Sequence, residues 1–577
     1  MTATDSTVDD ILQEIYGTVP EVLQQGLRDL LSSTEARESK ALAKESTKSS
    51  VAPTLWDHED VVLITYADQV RGGGWSPLQA QRKFLIEREL HDKIRCVHLL
   101  PFCPFSSDDG FSVIDYLEVD PESGTWDDIY QLNESFDLMF DLVLNHTSQH
   151  HEWFQRFLRN ESGYEEAYRT ADPDEDLSAV VRPRSLPLLT PFSTKDGVRH
   201  VWTTFSDDQV DLNYEDPLTC LRMIDTLVEY ARRGARIIRL DAIAFLWKRA
   251  GTSCIHLPET HALVRLMRAI LDQAAPGTIV LTETNVPHKE NISYFGDGTD
   301  EAHMVYQFSL PPLMLDAIHS GDTSYIRDWL ATLTPPGDET TFFNFTASHD
   351  GVGVRPLEGL VPPERLANLV DVVGRHGGRV SMRANSDGTE SPYELNITYL
   401  DAVADRNKVS TAEHAKRFLA TQAIMLSMQG VPAVYFHSLV GSPNDLDGVE
   451  SSGINRRINR HKYSADELDA SLSDPEGLPR KVFDGYVRLL ELRRKISCFH
   501  PRETQRVLDL PGNGLLGFCR GDGVTVLANL SETPHRVDEG VVASSHRHDV
   551  LGDETIGPNA AIEMAPFQVR WMVATGH

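Results

Sequence analysis

Cysteine is scarce. The six in 577 residues (Cys96, Cys103, Cys220, Cys254, Cys498 and Cys519) have no CxxC spacing, which argues against a disulfide framework or a zinc site and predicts reduced thiols in a cytosolic protein. No run of 18 apolar residues occurs, and Met1 is followed by Thr-Ala-Thr-Asp-Ser rather than by a basic and then an apolar leader. Neither a membrane span nor a signal peptide is therefore expected, and the expected location is cytoplasmic. Positive charge is also short, with 54 Lys and Arg against 86 Asp and Glu and a net charge of −32. Nucleic acid and anionic membrane would be repelled over most of such a surface. A small neutral or phosphorylated substrate survives that exclusion, because one pocket can reverse the global sign. No HExxH or comparable ligand cluster is present, so neither a metal nor a resident cofactor is expected.

What is present is the composition of a globular chain, 41% hydrophobic and 24% charged, long enough for about three or four compact units. Residues 1–55 carry an amphipathic pattern (Ile11, Leu12, Ile15, Tyr16, Val22, Leu23, Leu27, Leu30, Leu31) and then a Ser/Lys/Ala-rich stretch to Pro53, which reads as a helical extension on a linker. From Val61 onward, short β-rich runs alternate with helical patterns. They are Val61–Tyr66, Arg95–Leu100, Leu138–Leu144, Arg236–Leu240, Thr278–Leu281, Met304–Phe308, Thr341–Phe345 and Ala433–Phe436. Eight such runs predict the α/β class and a (β/α)₈ barrel over residues 56–146 and 226–498. The interval from His146 to Arg236 is too long for one helix and its loops, and its Pro- and Asp-rich sequence predicts an inserted domain over 147–225. Beyond it, short alternating runs such as Leu515-Leu-Gly-Phe-Cys519 predict a C-terminal β-sandwich over 499–577.

In a parallel barrel, reactive side chains stand at the C-terminal ends of the strands. Four polar motifs fall there: Asp141-Leu-Val-Leu-Asn-His146, Gly234-Ala-Arg-Ile-Ile-Arg-Leu-Asp241, Leu281-Thr-Glu283 and Ser348-His-Asp350. One carboxylate at one strand end is an ordinary ion pair. Three carboxylates, two histidines and an arginine converging from different strands have no economical structural explanation.

The four motifs resemble the conserved regions of the α-amylase superfamily of glycoside hydrolases and transglycosylases. That resemblance implies Asp241 as nucleophile, Glu283 as general acid/base and Asp350 as transition-state stabiliser. It also implies Arg239 orienting the nucleophile, and His146 and His349 binding glucose hydroxyls. The physical demands agree, since retention at an anomeric carbon needs one ionised carboxylate to attack and one protonated carboxyl to donate. Arg239, two residues before Asp241 on a strand, shares its face and would keep it ionised. Glu283 needs a raised pKa, which burial near other carboxylates would supply. Narrower segments, Leu63-Ile-Thr-Tyr-Ala-Asp68, His98-Leu-Leu-Pro-Phe-Cys-Pro-Phe105, Ser107-Asp-Asp-Gly-Phe-Ser-Val-Ile-Asp-Tyr116 and Ile458-Asn-Arg-His461, resemble the sucrose phosphorylase branch through roughly residues 60–500. By the same resemblance, Asp108 and Arg460 clamp the far hydroxyls of one glucose ring, and Phe111 and Phe192 wall its faces. Arg456 reads as a structural ion pair or as a site residue.

The carboxylates do not separate a phosphorylase from a hydrolase, because both chemistries pass through a glucosyl-enzyme. In this branch a mobile loop after the seventh strand carries a tyrosine, which Tyr393 in Ser391-Pro-Tyr-Glu-Leu-Asn396 resembles, and the inserted domain offers an arginine to phosphate. Arg182, Arg184 and Arg383 are the candidates for that arginine. Sucrose-specific members read Asp-Leu-Tyr-Gln-Val-Asn at this place. Loss of that Asp, and Glu394 in place of Gln, argue against sucrose and resemble relatives that phosphorolyse glucosylglycerol or glucosylglycerate. Glu394 would repel a glycerate carboxylate unless Arg383 compensates, so 2-O-α-glucosylglycerol is expected ahead of glucosylglycerate and sucrose 6'-phosphate. A compatible-solute substrate also fits the acidic composition. The expected reaction is double displacement to α-glucose 1-phosphate, with inorganic phosphate as co-substrate and only small molecules as partners. A hydrolase or transglucosidase and a non-catalytic binding subunit are the other readings, and a monomer and a homodimer are equally compatible.

Overall fold

The computed structural model describes residues 3–42 and 55–574, apart from 185, 386–388, 544, 558 and 559. Of the Ser/Lys/Ala-rich stretch that ends at Pro53, residues 32–42 continue a helix and residues 43–53 lie outside the described ones. Eight strands close a parallel barrel: β1 (Val62–Thr65), β2 (Cys96–Leu99), β3 (Asp137–Val143), β4 (Ala235–Asp241), β5 (Ile279–Thr282), β6 (Met304–Tyr306), β7 (Thr341–Phe345) and β8 (Val431–Tyr435). Each coincides with one of the eight expected runs, and β8 returns to pair with β1. Strands covered on both faces need continuous apolar sequence rather than alternation, and β1 (VLIT) and β5 (IVLT) are buried throughout. The register sets Asp141 beside Arg239, Val143 beside Asp241, and Leu240 beside Thr282. The inward side chains at the tops of β3, β4 and β5 thereby meet in one layer.

The insertion after β3 holds a hairpin of Leu189–Thr194 with Gly197–Trp202 and a short antiparallel pair, His146–Ser148 with Gln209–Asp211. The next helix, Pro217–Arg232, is capped by Asp216 and packs against β4. The barrel therefore resumes near residue 217, earlier than the expected 226. A second excursion follows β7. There Val352–Gly353, Glu390–Asn396 and Arg379–Ala384 form a three-stranded antiparallel sheet, so Tyr393 sits on a strand rather than on the expected mobile loop.

At the N-terminus, α1 (Ala3–Tyr16) and α2 (Glu21–Leu42) lie against the barrel helices Pro258–Ala274 and Pro217–Arg232, burying Leu12, Ile15, Leu23 and Leu27. Gly26 permits this close approach, because a Cβ there would come 2.3 Å from Leu221 Cδ2. At the C-terminus, a six-stranded antiparallel sheet and a two-stranded one (His535–Val537 with Ile562–Met564) enclose a small core that includes Leu515, Leu527, Val537 and Met564. All six cysteines are free; four are buried, while Cys498 and Cys519 are partly exposed. Among the described residues, no helix is long and apolar enough to cross a membrane.

Candidate active site

Arg239 organises the floor of the pocket. Its Nη1 donates to Asp141 Oδ1 and, at 2.6 Å, to Asp241 Oδ1, while its Nη2 stands 3.9 Å from Glu283 Oε2. Asp141 in turn meets His98 Nε2 at 2.6 Å. Burial alone would raise the Asp141 carboxyl, but the charges of Arg239 and His98 override it and hold the group at about 2. Burial raises the Asp241 and Glu283 carboxyls together. Two buried acids this close to one guanidinium share their protons unevenly, and Arg239 is bonded to Asp241 but only near Glu283. The charge therefore sits on Asp241 and the proton on Glu283. Ala242, directly after Asp241, adopts a left-handed backbone (φ 50°), and its N–H donates to Glu283 Oε2 at 2.9 Å. A non-glycine residue in that region is strained, and here the strain ties the two carboxyls into one frame.

Asp350, five residues past the end of β7, meets Arg456 Nη1 at 2.7 Å and Arg460 Nη2 at 3.8 Å. Against the upward push of burial, the charges of Arg456 and Arg460 keep it far below the usual carboxylate range. An anionic Asp350, an anionic Asp241 and a protonated Glu283 around one cavity form the arrangement that stabilises positive charge developing at a sugar carbon.

At the far end, Asp108 and Arg460 come together as expected but share the work. Arg460 Nη1 lies 3.4 Å from Asp108 and 2.8 Å from Asp109, and Asp109 also binds Arg457 at 2.6 Å. Asp108 and Asp109 both have positive φ, which turns successive carboxylates towards these arginines. Phe111 lines the pocket and stacks on His349 at 4.7 Å, with an interplanar angle of 8°. Burial pushes His349 down to about 3, so it acts as a neutral ring. His146 also lines the pocket; its Nε2 meets Phe111 O at 2.9 Å. Phe192 does not join them. It lies on the hairpin of the insertion and packs edge-on against Phe154 at 4.9 Å, and the aromatic wall is formed instead by Phe205 and Phe245, 5.5 Å apart.

The remaining wall carries Tyr393, Arg184, Arg355, Arg456 and Asn285. Burial and the charge of Glu394 push the Tyr393 hydroxyl up to about 12, so it stays protonated. Glu394 itself does not face the cavity. It is 3% exposed, accepts from Arg456 Nη2 at 2.9 Å and from the Gly351 N–H, and is thereby neutralised. Arg383 bonds Glu358 at 2.8 Å and Ser391 Oγ at 3.1 Å, away from the pocket. Arg184 lines the pocket but is paired with Asp108 at 3.1 Å, and Arg182 lies outside the lining. The expected repulsion of glycerate therefore fails, not because Arg383 compensates but because the Glu394 charge is spent on Arg456. Two further residues that no motif marks also line the pocket: Arg355, five residues past Asp350, and Gln209, which donates to Phe111 O at 2.9 Å. Among the described residues, no group of three or more His, Cys, Asp or Glu is arranged to hold a metal ion.

The family description "Alpha amylase, catalytic domain" matches residues 93–339. The chain is 46% identical to a glucosylglycerate phosphorylase of Escherichia coli over 98% of its own length and 99% of that relative's. It is 30% identical to a glucosylglycerol phosphorylase of Marinobacter adhaerens over 76% of its length and 88% of that relative's. Among solved structures, a sucrose 6F-phosphate phosphorylase from Thermoanaerobacter thermosaccharolyticum matches with a TM-score of 0.71 at 26% identity, covering 83% of this chain and 94% of the other.

Proposed function

The chain belongs to the α-amylase family, in its glucoside phosphorylase branch, and we propose that the glucoside it cleaves is glucosylglycerate. In the first displacement an Asp241 carboxylate oxygen bonds to C1 of glucose, the bond from C1 to the glycerate oxygen breaks, and Glu283 gives its proton to that leaving oxygen. In the second, a phosphate oxygen attacks C1, the ester to Asp241 breaks, and the proton lost by phosphate returns to Glu283. The product is α-glucose 1-phosphate, and both carboxyls are restored. Arg239 holds Asp241 as the anion through the 2.6 Å bond, and Asp350 faces the positive charge that develops on the ring. Asp108 with Arg460, and Phe111 with His349, hold the glucose, while Tyr393 stands on the acceptor side.

The observation that carries the choice of glycerate is the gap in likeness, 46% over nearly the whole chain against 30% over three quarters of it. This reverses the order of acceptors read from the sequence, which put glucosylglycerol first. The pairing of Glu394 with Arg456 gives the physical reason, since no free carboxylate of Glu394 faces the acceptor. The setting of the reading is a cytoplasmic enzyme, monomer or homodimer, that uses phosphate as co-substrate and needs no resident cofactor.

The test is to supply glucosylglycerate, glucosylglycerol, sucrose and sucrose 6'-phosphate with and without phosphate and to assay α-glucose 1-phosphate. Phosphate-dependent product from glucosylglycerate is expected with kcat/KM at least about 10-fold above the others. Equal or faster turnover of glucosylglycerol would defeat the glycerate reading.

A further inference from the structure

Four arginines line the pocket, and three of them are neutralised within it. Arg239 is bonded to Asp141 and Asp241, Arg184 to Asp108 at 3.1 Å, and Arg456 to Asp350 at 2.7 Å and Glu394 at 2.9 Å. Arg355 differs. Its nearest carboxylate, Glu290, stands 3.9 Å from Nη2, and its Nε is buried with no hydrogen-bond partner among the described residues. The side chain is only 13% exposed, so most of its hydration has been lost without a close counter-charge to replace it.

The neighbours of Arg355 place it on the acceptor side. The preceding residue, Val354, donates its N–H to Tyr393 O at 3.1 Å. Asn285, two residues past Glu283, also lines the pocket, and its buried Oδ1 has no hydrogen-bond partner among the described residues. A Cβ at Gly353 would come within 2.5 Å of that amide, so the missing side chain leaves room for it. An unsatisfied guanidinium and an unsatisfied amide thus face the same cavity, apart from the arginines that close the glucose end.

We propose that Arg355 is the oxyanion-binding group of the acceptor side, taken first by the carboxylate of the leaving glycerate and then by the incoming phosphate. The glycerate half rests on the function proposed above, and the phosphate half does not. Glycerate and phosphate are both small oxyanions that must occupy the same side of C1 in turn, and a planar, permanently charged fork suits either. Water carries no charge and gains nothing from Arg355. The same contact would therefore favour phosphate over hydrolysis of the glucosyl-enzyme.

α-Glucosyl fluoride forms that intermediate without an oxyanion leaving group, and the intermediate then divides between phosphate, glycerate, glycerol and water. Because all products arise from one species, their ratios do not depend on how fast it forms. In Arg355→Gln the ratios of α-glucose 1-phosphate to glucose, and of glucosylglycerate to glucosylglycerol, should each fall by about 30-fold, with partial recovery in Arg355→Lys. A purely structural role would slow all products together and leave the ratios unchanged, which would overturn the proposal, as would an unaltered phosphate ratio in a folded variant. If the unsubstituted enzyme makes no glucosylglycerate from glycerate, the glycerate reading fails, and Arg355 is then judged by the phosphate ratio alone.

Discussion

Buried arginines lie at both ends of the barrel, and their charges are met in opposite ways. At the C-terminal end, Arg239, Arg456 and Arg460 face carboxylates. At the N-terminal end, where the C-terminal sheet abuts, Arg493 and Arg520 face main-chain carbonyls. Arg493 donates to Leu426 O at 2.8 Å and to His58 O, and Arg520 to Ser427 O and His500 O, each at 2.8 Å. Leu426 and Ser427 end the helix Thr411–Ser427, whose last carbonyls have no partner within the helix and carry its negative pole. Among the described residues no carboxylate forms an ion pair with either; burial, against the weaker pull of Asp60 and Asp57, pushes Arg493 down to about 10, and burial together with Arg493, against that of Glu503, pushes Arg520 down to about 9. Charge at the top is set against charge, and it leaves two acids sharing protons. Charge at the base supplies five-donor forks that fasten a helix end, the segment before β1 and the sheet to one another.

The difference predicts a double dissociation. Asp241→Asn should lower kcat by at least about 10⁴-fold, because the attacking carboxylate is gone. The same change should leave thermal stability equal or higher. A buried acid whose folded pKa is raised weakens the fold as pH rises through that pKa, and an amide does not. A loss of melting temperature alongside activity would break the contrast. Arg520→Met should do the reverse, costing about 2–4 kcal/mol in urea unfolding through orphaned carbonyls. Its kcat/KM should stay within about twofold, since Arg520 touches nothing in the pocket.

The sequence made the barrel legible because strands covered on both faces must be short continuous apolar runs, as in Val62–Thr65 and Ile279–Thr282. The carboxylate cluster was legible because Asp241 ends its strand, Glu283 directly follows one and Asp350 comes five residues after another, so position along the chain gives position in the site. Phe192 was misplaced, and Phe205 missed, because aromatics in an irregular insertion show no period that says where they point. The end of that insertion did have a signal, since Asp216 followed by Pro217 is an N-cap and first-turn pair. Glu394 was misjudged because its partner, Arg456, comes from another loop 62 residues away. Arg355 gave no signal at all, because lacking a close counter-charge is a property of the assembled pocket.

Acid titration separates the two ends by a smaller effect. Asp141, fully buried, has a folded pKa of about 2, below the roughly 3.9 of an unfolded aspartate. A depressed acid stabilises the fold above its unfolded pKa, and that contribution, on the order of 2 kcal/mol, is lost as pH falls from about 4 towards 2. Arg493 and Arg520 stay protonated throughout this window and contribute no slope. The melting temperature should therefore fall with pH between about 4 and 2, and fall less steeply in Asp141→Asn. In Arg520→Met the curve should start lower and keep its slope. Flattening by Arg520→Met instead would mean that the acid-labile charge sits at the base, and the division between the two ends would not hold.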